Sequence, residues 1–146
     1  MKELLCTVVG CIGAFLAAIF GGWDSALVTL LIFMGIDFAT GLITAAMGKS
    51  ENSESGTLNS KVCWQGLAKK FCVLLLLVVA VRIDILLGTT YVRDAVCIAF
   101  CCNELLSILE NTGLMGIPYP QGLKNAVELL QKKAGKTEKE DDSNGN

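Results

Sequence analysis

At 146 residues, with 53% hydrophobic and 18% charged residues and a mean hydropathy of +0.57, the chain is one domain long but too apolar for a water-soluble globule. The net charge of −2 says little, but no basic patch is suited to nucleic acid, and the lack of histidine excludes histidine-based catalysis. With no Gly-rich phosphate loop and no nucleophile beside a base, neither a cofactor, a metal nor an enzymatic activity is expected.

The first apolar block, Leu4 to Trp23, carries no charge and has the roughly 20 residues that a bilayer core about 30 Å thick requires. Lys2 before it suggests a cleavable signal. However, Glu3 weakens the basic segment, the run is too long and no A-x-A site follows, so a retained helix is expected. Small residues recur at every fourth position, with Gly10, Ala14, Ala18 and Gly22 on one row and Gly13, Ala17 and Gly21 on the next. Such rows let helix backbones approach closely in lipid.

The second block, Ala26 to Met47, contains one charge, Asp37. A carboxylate in a spanning helix costs about 2.5–3.5 kcal/mol on insertion scales, so a partner is expected. Asp37, Gly41 and Ala45 share one helix face with Thr40 and Thr44 beside them, a surface suited to another helix. The polar loop ENSESGTLNS should be mobile, and KVCWQGLAKKF reads as an interfacial approach to the third helix.

The third block, Phe71 to Gly88, contains only Arg82 and Asp84. Counting from the flanking loops places Arg82 and Asp37 at similar depth, about 16–18 Å in, so Arg82 is the expected partner of Asp37. Asp84, two residues on, points elsewhere, toward the outer interface or a neighbouring copy. The fourth block, Ala95 to Leu109, is shorter and includes a polar stripe of Asn103, Ser107 and Glu110/Asn111, with Glu104 beside it. GIPYPQG then breaks the backbone. In LKNAVELLQKK the residues Leu123, Ala126, Val127 and Leu130 form one face of a short amphipathic helix on the inner membrane surface. From Ala134 onward the tail AGKTEKEDDSNGN should be disordered.

Ten of the twelve Lys and Arg residues (Lys2, Lys49, Lys61, Lys69, Lys70, Lys124, Lys132, Lys133, Lys136 and Lys139) fall on one side of a four-helix threading. The positive-inside rule then places both termini and the long loop in the cytoplasm. The expected fold is an all-α integral membrane protein with four transmembrane helices, comprising a membrane domain of residues 1–133 and a tail of residues 134–146. A three-span arrangement, with the fourth block lying in the interface, is the alternative. The seven cysteines, with no CxxC pair, read as small hydrophobes.

Together these residues resemble the phage lysis holins of the type that also includes toxin-secretion holins. The pattern D-x-x-T-G stands at Asp37, Thr40 and Gly41, and S-x5-G-L-x-K-K at Ser60, Gly66, Leu67, Lys69 and Lys70. Asp84 matches a late acidic position in the third helix. N-E-x-x-S-I-x-E-N-x-G stands at Asn103, Glu104, Ser107, Ile108, Glu110, Asn111 and Gly113, followed by P-x-P-x-x-L at Pro118, Pro120 and Leu123. The resemblance covers roughly residues 35–130. It implies a non-enzymatic protein of the bacterial cytoplasmic membrane that binds lipid and copies of itself. Such a protein opens lesions that free or activate a cell-wall-degrading endolysin, or export a large protein. A small ion channel or transporter, and a membrane anchor recruiting a partner through its tail, are the other readings of the intramembrane carboxylates and the polar C-terminus.

Overall fold

The computed structural model describes residues 1–50, 60–118 and 120–142, and these residues form five helices and no strand. They are α1 (Lys2–Phe20), α2 (Ser25–Ala46), α3 (Ser60–Leu87), α4 (Tyr91–Leu114) and α5 (Gln121–Asp142). The expected mobility of ENSESGTLNS concerns residues that lie almost wholly outside this set.

α2 and α4 form the largest interface, with α3 and α5 each packed on α4 and α1 resting lightly on α3. Leu27, Leu30 and Met34 of α2 meet Leu77 of α3 and Cys97 and Cys101 of α4, and Phe20, Phe33 and Phe100 close the edges. Cys97, Cys101 and Cys102 are buried free thiols that act here as small apolar side chains on the face α4 presents to its neighbours. In lipid, burial of such residues gains little because the tails are equally apolar, so close packing and interhelical hydrogen bonds must hold the helices together.

Among the described residues two helices, α1 and α2, are long and apolar enough to cross a membrane. None of the residues of α1 is buried, and Leu4, Leu5, Val9 and Phe15 are each 60% exposed or more. A Cβ placed on Gly10 or Gly13 would meet nothing within 4 Å. Neither glycine therefore packs against another helix of the same chain. Gly21 is the exception, and its role differs from the one expected. It ends α1 in the left-handed region at φ 75°, which glycine adopts without strain, and a Cβ there would lie 3.5 Å from Val81 and 3.7 Å from Arg93.

At the other end of the chain, Val127 is buried, while Ala126 and Leu130 are half-buried and Leu123 is exposed. The α5 backbone continues to Asp142, so residues 134–142 are helical where the sequence suggested disorder. Their Lys and Glu are strong helix formers, and a helix already begun extends through them at little cost. Residues 143–146 lie outside the described set.

Candidate functional site

Asp37 projects from α2, Lys70 from α3 and Glu104 from α4, and the three side chains meet. Lys70 Nζ donates to Asp37 Oδ2 at 2.7 Å and also to Glu104 Oε2. All three side chains are only 11–15% exposed. Asn111, two turns along α4 from Glu104, donates through Nδ2 to Asp37 Oδ1 at 3.1 Å and to Thr40 Oγ1 at 3.2 Å. Gly41 makes room for it, since a Cβ there would sit 3.6 Å from Asn111 Nδ2. Thr40 and Thr44 turn their hydroxyls back on the α2 carbonyls of Asp37 (3.0 Å) and Thr40 (2.7 Å), as hydroxyls on apolar helices commonly do. Two carboxylates thus share one ammonium. A cleft of about 360 Å³ opens beside them, walled by Gln65, Lys69, Asn103 and Ser107.

The expected pairing of Asp37 with Arg82 is overturned. Arg82 is exposed on the far side of α3, and Asp37 is bonded to Lys70. The helix begins at Ser60, well before the apolar run, so Lys70 already stands ten residues inside α3, as Asp37 stands nine residues from the end of α2. At 1.5 Å per residue the two are level, about 14–15 Å from those ends.

A second polar cluster ties the opposite helix ends. Asp84 is 5% exposed and caps α4. Its Oδ1 accepts from Thr89 Oγ1 at 2.6 Å and from Val92 N at 3.1 Å, and its Oδ2 accepts from Arg93 N at 2.8 Å. The carboxylate thus satisfies two free amides in the first turn, a task that Thr90 at the cap position leaves undone. Arg93 is 6% exposed, and its Nε donates to Phe20 O at 3.1 Å at the C-terminus of α1. Its Nη1 and Nη2 both engage Asp24, the latter at 3.1 Å, while Nη1 also reaches Asp94 at 3.0 Å. Asp24 itself caps α2 by accepting from Leu27 N at 2.9 Å. The hydrogen bond from Arg93, opposed by burial, holds the Asp24 carboxyl below its ordinary value. One guanidinium thereby joins α1, α2 and α4.

Of the residues singled out in the sequence, Asp37, Thr40, Gly41 and Glu104 converge, with Ser107 and Asn103 along the adjoining cleft. Glu110 is exposed and Arg82 stands apart, while Asp84 belongs to the second cluster. Lys70, Asn111, Asp24 and Arg93 complete the two clusters without being among the partners expected from the sequence. Lys70 and Asn111 nevertheless fall within the S-x5-G-L-x-K-K and N-E-x-x-S-I-x-E-N-x-G patterns, so three separate motifs meet at one point in space.

The bacteriophage holin family model matches residues 14–132, and the chain belongs to that family. It is 38% identical over 124 residues to an uncharacterized 14.9 kDa protein from the nagH 3′ region of Clostridium perfringens, covering 84% of this chain and 89% of that one. An uncharacterized protein of Listeria monocytogenes is 37% identical over 131 residues, covering 89% of each chain. A probable holin of Bacillus phage phi105 is 30% identical over 118 residues, covering 80% of this chain and 82% of that protein. No solved structure matches. Family membership and the two long apolar helices make this a membrane protein of a family not known for enzymes.

Proposed function

We propose that this chain is a holin that crosses the bacterial cytoplasmic membrane four times, with both termini in the cytoplasm. It assembles with copies of itself and opens lesions through which an endolysin is freed or activated. The observation that carries this reading is the ion-paired cluster of Asp37, Lys70 and Glu104, buried among helices whose outer surfaces are apolar and exposed. Charged groups are retained at such depth where they fix how helices associate or line a path. The lengths of α3 (28 residues) and α4 (24 residues) also favour four spans. They correspond to about 42 and 36 Å, each enough to cross a 30 Å core. Residues 134–146 then form a charged tail beyond the membrane domain of residues 1–133.

Inducible expression in a bacterial host, with cytosolic reporters of graded size, tests the function. Release of a cytosolic enzyme after a lag is expected. Leakage of ions with every protein retained would instead establish a small ion channel. A cysteine placed at Ser143 should react with an impermeant reagent only after the membrane is opened, and labelling in intact spheroplasts would refute the threading.

A further inference from the structure

The side of α3 that faces away from Leu77, Ala80, Val81 and Asp84 carries Phe71, Leu75, Val79 and Leu86, each at least half exposed, with Arg82 among them. No ion pair among the described residues includes Arg82. It lies five residues before the end of α3, about 8 Å below that end. A guanidinium on a lipid-facing stripe either reaches up to the headgroups or pairs with a carboxylate at its own level.

The complement lies at the same end of the helix bundle, on another side. Asp24 and Asp94 share the single guanidinium of Arg93. The Asp94 side chain is 56% exposed, makes one 3.0 Å contact to that group, and stands three residues into α4, about 5 Å from the same end. Asp24 and Asp94 wall a cleft of about 310 Å³ together with Ala18, whose row on α1 continues through the exposed Ala14 and Gly10.

We propose that Arg82 of one copy enters this cleft on a second copy and pairs with Asp94. The stripe of Phe71, Leu75, Val79 and Leu86 then lies along the small-residue row of the second copy's α1. Large side chains fit a surface of glycine and alanine closely, which is the contact lipid-embedded helices use. The two surfaces differ, so the contact is head-to-tail and repeats from copy to copy, generating a ring if it closes and an open array if it does not. This inference rests on the self-assembly proposed above and names the faces that carry it.

The test uses two differently tagged full-length copies co-expressed in one host and recovered from detergent-solubilised membranes through one tag. Wild-type copies should co-purify. Arg82→Glu in both copies should lower the recovered partner at least tenfold, as should Asp94→Arg. Asp94→Asn retains an acceptor for Arg93 and should lower recovery to a smaller extent. The double change Arg82→Glu with Asp94→Arg should return it to within threefold of wild type. Recovery of Arg82→Glu copies at the wild-type level would overturn the pairing and place Arg82 among lipid headgroups. A double variant no better than the worse single one would also overturn it. Failure of wild-type copies to co-purify would instead refute self-assembly itself.

Discussion

Lys70 holds two carboxylates at once, so removing it should harm the protein more than removing either acid. In Lys70→Met a side chain of similar length is kept while Asp37 and Glu104 are left facing each other, each about nine-tenths enclosed. Removing one partner of a buried ion pair costs on the order of 3–5 kcal/mol in soluble proteins, and the residual exposure here sets the expectation near about 3 kcal/mol. That is roughly a 150-fold fall in the folded-to-unfolded ratio at about 1.4 kcal/mol per decade. Asp37→Asn leaves Lys70 paired with Glu104 and lets Asn111 bond the new amide, so about 1–2 kcal/mol is expected. Glu104→Gln removes the surplus charge and leaves one acid against one ammonium, so it should cost under about 1 kcal/mol. Titration of purified protein in mixed micelles with SDS, followed by helicity and by the fluorescence of Trp23 and Trp64, measures the order. Equal losses for Glu104→Gln and Lys70→Met, or a loss under about 0.5 kcal/mol for Lys70→Met, would refute the shared-ammonium account.

Arg93→Lys keeps the charge but loses the fork that spans Asp24 and the Phe20 carbonyl, at about 1–3 kcal/mol, and faster amide exchange should appear at the end of α1 and the start of α2. Asp84→Ala removes the cap of α4 and should cost about 1–2 kcal/mol, with Asp84→Asn intermediate, read as a shift in the same SDS titration. Asp24 has a folded-state pKa below its ordinary 3.8. Its contribution is therefore complete above that value and is lost as pH falls through the lower folded one. Acidification from pH 5 to pH 3 should accordingly destabilise wild type more than Asp24→Asn.

The helices were legible because hydropathy marks lipid-compatible runs directly, and the face shared by Asp37, Thr40 and Gly41 followed from helical spacing alone. The partner of Asp37 was not legible. Hydropathy locates where a run becomes apolar, whereas α3 starts at Ser60 in a polar stretch and so carries Lys70 to the depth of Asp37. Arg93 was obscured by its neighbour Asp94, which looks like a local surface pair. Its principal partners, Asp24 and the Phe20 carbonyl, are 69 and 73 residues away and share no sequence period with it. The role of Asp84 lay closer to hand, since a carboxylate shortly before Gly88, Thr89 and a new helix is placed to serve as a cap. The extension of α5 to Asp142 reflects helix propensity in a segment where composition alone gives no apolar reason to fold.

The order in which the chain is made has a bearing on the shared ammonium. Asp37 leaves the ribosome 33 residues before Lys70 and 67 before Glu104, by subtraction of their positions. At about 5–20 residues per second, α2 waits roughly 2–7 s for its counter-ion and 3–13 s for the second acid. Throughout that interval the carboxyl must be carried by the apolar side chains of α2 itself, whose ten Leu, Ile, Phe and Val residues at about 0.3–0.6 kcal/mol each supply about 3–6 kcal/mol against its cost of about 2.5–3.5 kcal/mol. The cluster is thus completed only when α4 arrives, which makes correct helix pairing a late event in biosynthesis, governed by the last of its three helices to emerge.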